Sequence, residues 1–376
     1  MNERERYLRC LLFEKVDKIP FRPGWPREST LKRWYKEGLP ENTNWFDYLC
    51  EKIGIKIEKP KKEYVSFSLN FGPIPPFEEK IIEKKDGHLI VQTQKGEIVE
   101  IDEKYDFTYL RSAKDFVTRK WHKFPVENTD DWENMKKRYN PEAPERIDSE
   151  IDKKAEILNE RDWVLSIGFP GVFWQLRDWC GFENLCIFMA TEQDFVFEMA
   201  NFWKDFVSSI LKKILPKIKI DSVIINEDMA YKEKSMISPY MVKKFLLPCW
   251  SEWSYILKKY GCKVIILDSD GYIGELIPLW IEGGINCTIP VEIAAGNNLI
   301  EYRKKFGKNM AYIGGIDKRK IAKGGEILKK EMDNIIPFLI KDGGYIPSCD
   351  HGVPPDISWE NFVEYSKYLA KLTSWL

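Results

Sequence analysis

The stretch KVIILDSDGYI, Lys263 to Ile273, decides the fold. A run of aliphatic and β-branched residues reads as a strand buried on both faces, the pattern of a parallel sheet covered by helices. It ends in two carboxylates, Asp268 and Asp270, one serine apart. An unpaired carboxylate is costly to bury, so the acids belong just past the strand's end, at an open rim. Residues two apart on an extended chain point the same way, which directs both carboxylates to one side and Ser269 to the other. Gly271 then permits the sharp turn that follows.

Outward from this stretch, the chain beyond about residue 162 alternates strand with helix. WVLSIGF, SVIIN, KVIIL, INCTIP, MAYIGG and GYIPS are the strand candidates. The helix in SPYMVKKFLLPCWSEWSYILKKYG starts with Ser238 as N-cap and Pro239 at its first position, and Gly261 stops it. Pro248 inside it predicts a kink. A second helix, starting at Thr191, keeps a helical apolar period through Phe195, Met199, Phe202 and Phe206. This alternation predicts a TIM-type (β/α)8 barrel whose first two strands lie in DKIPFRP and EYVSFSLNF. A doubly wound sheet is the alternative, and no GxGxxG follows a first strand to support it. Between about residues 60 and 125, short alternating runs with turns at Asp86-Gly87 and Lys95-Gly96 predict an antiparallel β insertion. Residues 1–376 are thus read as a single barrel domain carrying that insertion.

Composition limits the function. Hydrophobic residues at 44% and aromatics at 14% suffice for a large core. Lys and Arg number 58 against 59 Asp and Glu, a balance that favours neither nucleic acid nor an anionic membrane and leaves a small molecule as the expected partner. The charged start MNERERYLRC and the lack of an apolar run of ~20 residues predict a cytoplasmic protein. The eight cysteines include no CxxC pair and are expected as free thiols.

Active sites of barrels sit on the C-terminal rim. Reading on from each strand gives Glu227 and Asp228, then Asp268 and Asp270, Glu292, the run Asp317-Lys318-Arg319, and finally Cys349, Asp350 and His351. Each acid alone has an ordinary reading as a helix cap, an Asx turn or half of an ion pair, and Cys349 alone reads as a packed thiol. Their convergence on one rim, with one of only three histidines in the chain, points instead to a site. Carboxylates with one imidazole suit zinc or another divalent ion, here through Glu227, Asp268, Asp270 and His351, or else a proton or a basic substrate. Trp25, Phe71, Phe173 and Trp174 could bracket an aromatic ring, or simply pack in the barrel.

The blocks RERYLRCLLFEKVDKIPFRP, GFPGVFWQLRDWCGFENL, EDMAY with ISPYMVKKFLLP, and GYIPSCDHGVPPDISWENF together resemble the uroporphyrinogen decarboxylase superfamily over nearly the whole chain. The resemblance implies a TIM-type barrel. It also implies one of two activities, porphyrinogen decarboxylation or zinc-dependent methyl transfer with corrinoid proteins. The decarboxylases carry an arginine-rich MRQAGR segment and an aspartate in an FSDI-like segment. Here FRPGWPRES offers Arg22 and Arg27, and FSLNFGP offers Asn70. A substrate with many carboxylates would lack its guanidinium anchors.

The methyltransferase branch has an HxCG motif where this chain has DSDG, and a GCG-like cysteine where this chain has His351. Asp268 and Asp270 thus stand for the histidine and cysteine, with Glu227 as an additional acidic position, so the ligand set turns from soft to hard. The reading that follows is methyl transfer from a small methoxylated or N-methylated compound to a corrinoid protein. Asp268, Glu227 and His351 would be catalytic. Asp270, Trp174, Phe71, Trp25, Arg22 and Glu292 would hold the substrate, and a homodimer is left open. Decarboxylation of a porphyrinogen or a smaller acid, and non-catalytic tetrapyrrole binding, are the alternatives. Without the arginine-rich segment, purified protein should convert no measurable uroporphyrinogen to coproporphyrinogen by chromatography of the products; robust conversion would overturn the choice of branch.

Overall fold

The computed structural model describes residues 1–112 and 114–376. Four short strands, β1 (Lys80–Lys85), β2 (His88–Gln92), β3 (Ile98–Asp102) and β4 (Lys120–Lys123), form an antiparallel sheet in that order, the expected insertion. Asp86 and Gly87 both take positive φ at the β1–β2 turn, as a tight hairpin requires. Six further strands form a parallel sheet: β5 (Ser166–Pro170), β6 (Ser222–Asn226), β7 (Val264–Asp268), β8 (Cys287–Ile289), β9 (Ala311–Ile316) and β10 (Tyr345–Cys349). Each pairs with the next, with helices between them, which is the TIM-type arrangement.

The two remaining barrel positions are extended segments with almost no ladder. The first runs beside β10, where Cys349 N donates to Pro23 O at 3.2 Å and Val353 N to Trp25 O at 2.8 Å. The second lies along β5, with Tyr64 on Trp163 near its start and Phe71 on Phe169 near its end. Its backbone bonds go elsewhere: Asn70 N donates to Arg146 O and Asp148 N to Ser68 O. Side-chain packing rather than a hydrogen-bonded strand therefore holds this position, a departure from the regular eight-strand expectation.

Strand alternation sorts the core. Val264 and Ile266 of β7 face the barrel axis in one cluster with Cys287, Ala311, Ile313 and Ile346. Ile265 and Leu267 face the helices in a larger cluster. The helix Glu3–Leu11, started by an Asn2–Glu5 capping box, closes the barrel's N-terminal end by packing Tyr7, Cys10 and Leu11 into the axial cluster. Its last turn is tied to β10, since Gly344 N donates to Cys10 O at 2.6 Å. Asp221, just before β6, accepts from Arg4 Nε at 2.9 Å, Arg161 Nη2 at 2.7 Å and Leu165 N at 2.9 Å.

Two helix expectations are adjusted. After the Ser238 cap comes a single turn, Pro239–Met241, and then a π-helical stretch, Val242–Leu246, ahead of the helix Leu247–Lys259. The break expected from Pro248 is thus absorbed in the turn before it, where the proline cannot donate. Thr191 ends one helix, and the next, Gln193–Ile214, starts after Glu192. Among the described residues, no helix is long and apolar enough to cross a membrane.

The Asp221 cluster lies at the end of the barrel that governs stability rather than chemistry. The Arg161 and Asp221 side chains are 0% and 3% exposed. Removing one partner leaves a buried guanidinium uncompensated, so Asp221→Ala should lower the unfolding free energy by about 3–5 kcal/mol in denaturant titrations. A loss below ~1 kcal/mol would show that the cluster is not a structural anchor.

Candidate functional site

The C-terminal mouth opens into a cavity of about 1120 Å³, lined among others by Asn226, Asp228, Asp268, Asp270, Glu292 and His351. Strand register explains the grouping. Asn226 pairs with Asp268, so the alternation that turns Ile266 inward also turns these two inward, and Asp228 and Asp270, two residues past the strand ends, line the same cavity. Gly271 ends the run at φ +79°, and a Cβ there would lie 2.4 Å from Ala230 O, so only glycine fits this turn. Asp228, at φ +40°, holds a backbone conformation that non-glycine residues rarely adopt.

The same alternation turns Glu227 away. It faces the helices, fully buried, and accepts hydrogen bonds from Val172 N (2.9 Å), Phe173 N (2.8 Å), Trp174 N (3.2 Å) and Trp250 Nε1 (2.6 Å). Glu227 therefore caps the helix Val172–Cys180, whose dipole and free N–H groups suit a carboxylate. Burial pushes its pKa up to about 7, against the pull of these donors. This corrects the expectation that Glu227 is catalytic or a metal ligand. Phe71 and Phe173 are likewise packed in the core and do not reach the cavity. Trp25, Arg22 and Trp174 do line it, Trp25 being 72% exposed at the rim.

His351 lies between opposite charges. Its Nε2 is 3.2 Å from Asp270 Oδ2 and its Nδ1 3.1 Å from Arg27 Nη2. A guanidinium can only donate, so Nδ1 accepts and Nε2 carries its hydrogen toward Asp270. The bond to Asp270 raises the pKa of His351. Glu292 is also engaged at both oxygens, by Lys318 Nζ at 2.6 Å and by Gly271 N at 3.1 Å. Asp350 is a tie within the rim, accepting Lys318 N at 3.0 Å and Ile293 N at 2.9 Å. Cys349 is buried, which pushes its thiol up to about 12 and leaves it inert as a nucleophile.

Asp268 differs from these neighbours. It is mostly enclosed, and burial first, then the charges of Asp270 and Asp228, push its pKa up to about 7 while His351 pulls it down. The helix behind it also carries Trp174 and Arg177. Trp174 Nε1 donates to Asp178 at 3.1 Å, and Lys95 of the insertion's β2–β3 turn holds the same oxygen at 2.6 Å. Arg177 donates to Asp228 O at 2.9 Å. The insertion thus braces the helix that supplies one wall of the mouth.

Asp270, Glu292 and His351 place ligating atoms within 4.8 Å of one another, the one such group of three among the described residues. Two carboxylates and an imidazole would suit a divalent ion in chemistry. The arrangement does not fit one: Arg27 covers Nδ1, the hydrogen on Nε2 faces Asp270, and Lys318 occupies Glu292. An ion would have to displace two cations of the chain itself. Arg27 and Lys318, the latter already read as a rim residue, are the ones to which sequence reasoning gave no role. Their positions beside the first segment and just after β9 were legible, but not which acids they would pair with.

A family model described as Uroporphyrinogen decarboxylase (URO-D) matches residues 125–371. No curated protein matches the chain. Among solved structures, a methyltransferase from Methanosarcina mazei superposes with a TM-score of 0.55 at 12% identity, over 100% of this chain and 98% of that one. At that identity the likeness is one of fold. A provisionally assigned vitamin-B12 independent methionine synthase from Listeria monocytogenes overlaps more loosely, with a TM-score of 0.37 at 10% identity over 60% of this chain and 68% of that one.

The raised pKa of Asp268 gives a signed prediction. Between the unfolded value of 3.8 and the folded value of about 7, the native state binds the extra proton, so stability falls as pH rises through that window. Asp268→Asn removes the penalty and should stabilise the protein at pH ~8, by up to about 4 kcal/mol, with no gain near pH ~3.5. Thermal melts at the two pH values check this; an equal effect at both would show that Asp268 is not held out of its ordinary range.

Proposed function

Because the chain belongs to the uroporphyrinogen decarboxylase family, we propose that it is an enzyme of the methyl-transferring kind, moving a methyl group from a small methoxylated or N-methylated compound to a corrinoid protein. The observation that carries this reading is the inward trio Asp228, Asp268 and Asp270 beside His351, at the mouth of an open cavity. Such a wall repels a porphyrinogen's carboxylates and suits a donor whose leaving atom must be protonated or is already cationic. We read residues 1–376 as one barrel domain with the small sheet as an insertion, in a cytoplasmic protein whose cysteines are all free.

The corrinoid carried by a partner protein would supply the nucleophile for the methyl carbon. This chain's residues would bind the donor and manage its leaving atom. For an ether, Asp268, with a pKa near neutrality, can hold a proton and pass it to the departing oxygen. For an N-methylated cation the same carboxylate acts as counter-ion. His351 and Asp270 orient each other, and Arg27 fixes the imidazole's tautomer. Exposed Trp25 and Phe116 at the rim leave the mouth open to a large partner. The zinc inferred from the resemblance has no step here, since His351 and Glu292 are engaged by Arg27 and Lys318 and Glu227 faces the helices.

Purified protein supplied with cob(I)alamin and a panel of methoxybenzoates and methylated amines should methylate the corrinoid, followed by its absorption spectrum. His351→Ala and Asp268→Ala should each slow the reaction by about 100-fold or more. Carbon dioxide release from an acidic substrate, with no corrinoid present, would replace this reading with decarboxylation.

A further inference from the structure

The charges lining the cavity separate the two donor classes. The carboxylates of Glu3, Asp228, Asp268, Asp270 and Glu292 face it, against the permanent cations Arg22, Arg27 and Lys318. Most of these are spoken for. Glu3 lies 3.4 Å from Arg22, Glu292 2.6 Å from Lys318, Asp270 3.2 Å from His351, and Asp228 3.5 Å from Arg177. Arg27 is directed at His351. The Asp268 carboxylate has no hydrogen-bond donor and no cation within 4.0 Å among the described residues, and only His351 attracts it from farther off. It is mostly enclosed, it faces the cavity, and acids stand on both sides of it.

A largely enclosed carboxylate without a close partner is costly, and a fold that keeps one at the end of an inward strand leaves a position for a positive charge from outside. The rest of the wall sets what kind of cation. Ile224, Ile266, Ile289 and Ile313 line the same cavity, together with the aromatic Trp174 and Phe21. A small hydrated metal ion gains nothing from these surfaces. A methylated ammonium does, because its charge is spread over methyl groups that pack on aliphatic and aromatic side chains.

We propose that the methyl donor is an N-methylated cation of the quaternary ammonium class, seated with its charged head against Asp228, Asp268 and Asp270, an inference that rests on methyl transfer being the reaction. The chemistry balances without an added acid. When the methyl carbon bonds to the acceptor, the C–N electron pair stays on nitrogen and the product is a neutral tertiary amine. The ion pair with Asp268 disappears with the charge, which favours release of that product.

The test is calorimetric titration of the full-length protein with choline, tetramethylammonium and the neutral carbon isostere of choline, 3,3-dimethyl-1-butanol. Choline should bind at least about tenfold more tightly than its isostere, and its affinity should fall with added salt. Asp268→Asn should erase most of that preference; its fold is secured by the thermal melts described above. Equal binding of choline and the isostere, or an unchanged preference in Asp268→Asn, overturns the proposal. Presenting methoxybenzoates and quaternary amines side by side with cob(I)alamin separates the two levels. Methylation from the ether alone sinks the cationic donor while methyl transfer stands. Transfer from neither, with the choline preference intact, sinks methyl transfer as the reaction and keeps the cation site.

Discussion

A side chain on a barrel strand has two directions open to it, toward the axis or toward the helices, and it alternates between them without exception until the strand ends. The site depends on this restriction. Because β6 and β7 are in register at Asn226 and Asp268, the alternation sends these two inward, and Asp228 and Asp270 line the cavity from just beyond the strand ends. It sends Glu227 outward, where it holds the start of the helix Val172–Cys180. Neighbouring acids of similar appearance in the sequence thus have opposite work, one organising a helix and the others facing the cavity.

Much of this was legible in the sequence. The alternation of strands with helices, the insertion's turns and the rim position of Asp268, Asp270 and His351 follow from local patterns that need no partner to be recognised. Glu227 was misplaced although its parity was visible. In SVIINED the aliphatic Val223 and Ile225 face the helices, and Glu227 shares their parity. What could not be read were pairings across large sequence separations, such as Arg27 with His351 or Lys318 with Glu292. Phe71 was misread for a related reason: its segment keeps its place in the barrel by packing on Phe169, and a local pattern does not distinguish an aromatic that packs from one that lines a cavity.

The rim balances its own charge almost throughout. Asp228, Asp270 and Glu292 each have a cation or an imidazole from another strand or loop, while Glu227 and Asp350 are held by N–H donors. That balance explains why a cluster with the outward composition of a metal site is poorly suited to a metal, since composition counts donors and geometry decides whether they are free. It also explains how the insertion bears on the cavity. Lys95 grips Asp178, and Asp178 holds the indole of Trp174.

The closure of the barrel's N-terminal end has a consequence in time. The helix Glu3–Leu11 is synthesised long before β10, yet its last turn is tied to Tyr345, 335 residues later. Trp34 waits in the same way for Ile357, and Trp375 returns to Ile19. Until β10 is made, Tyr7, Cys10 and Leu11 have no complete surface to enter. Until then the apolar face of this helix stays exposed, and the barrel closes only when segments far apart in the sequence meet.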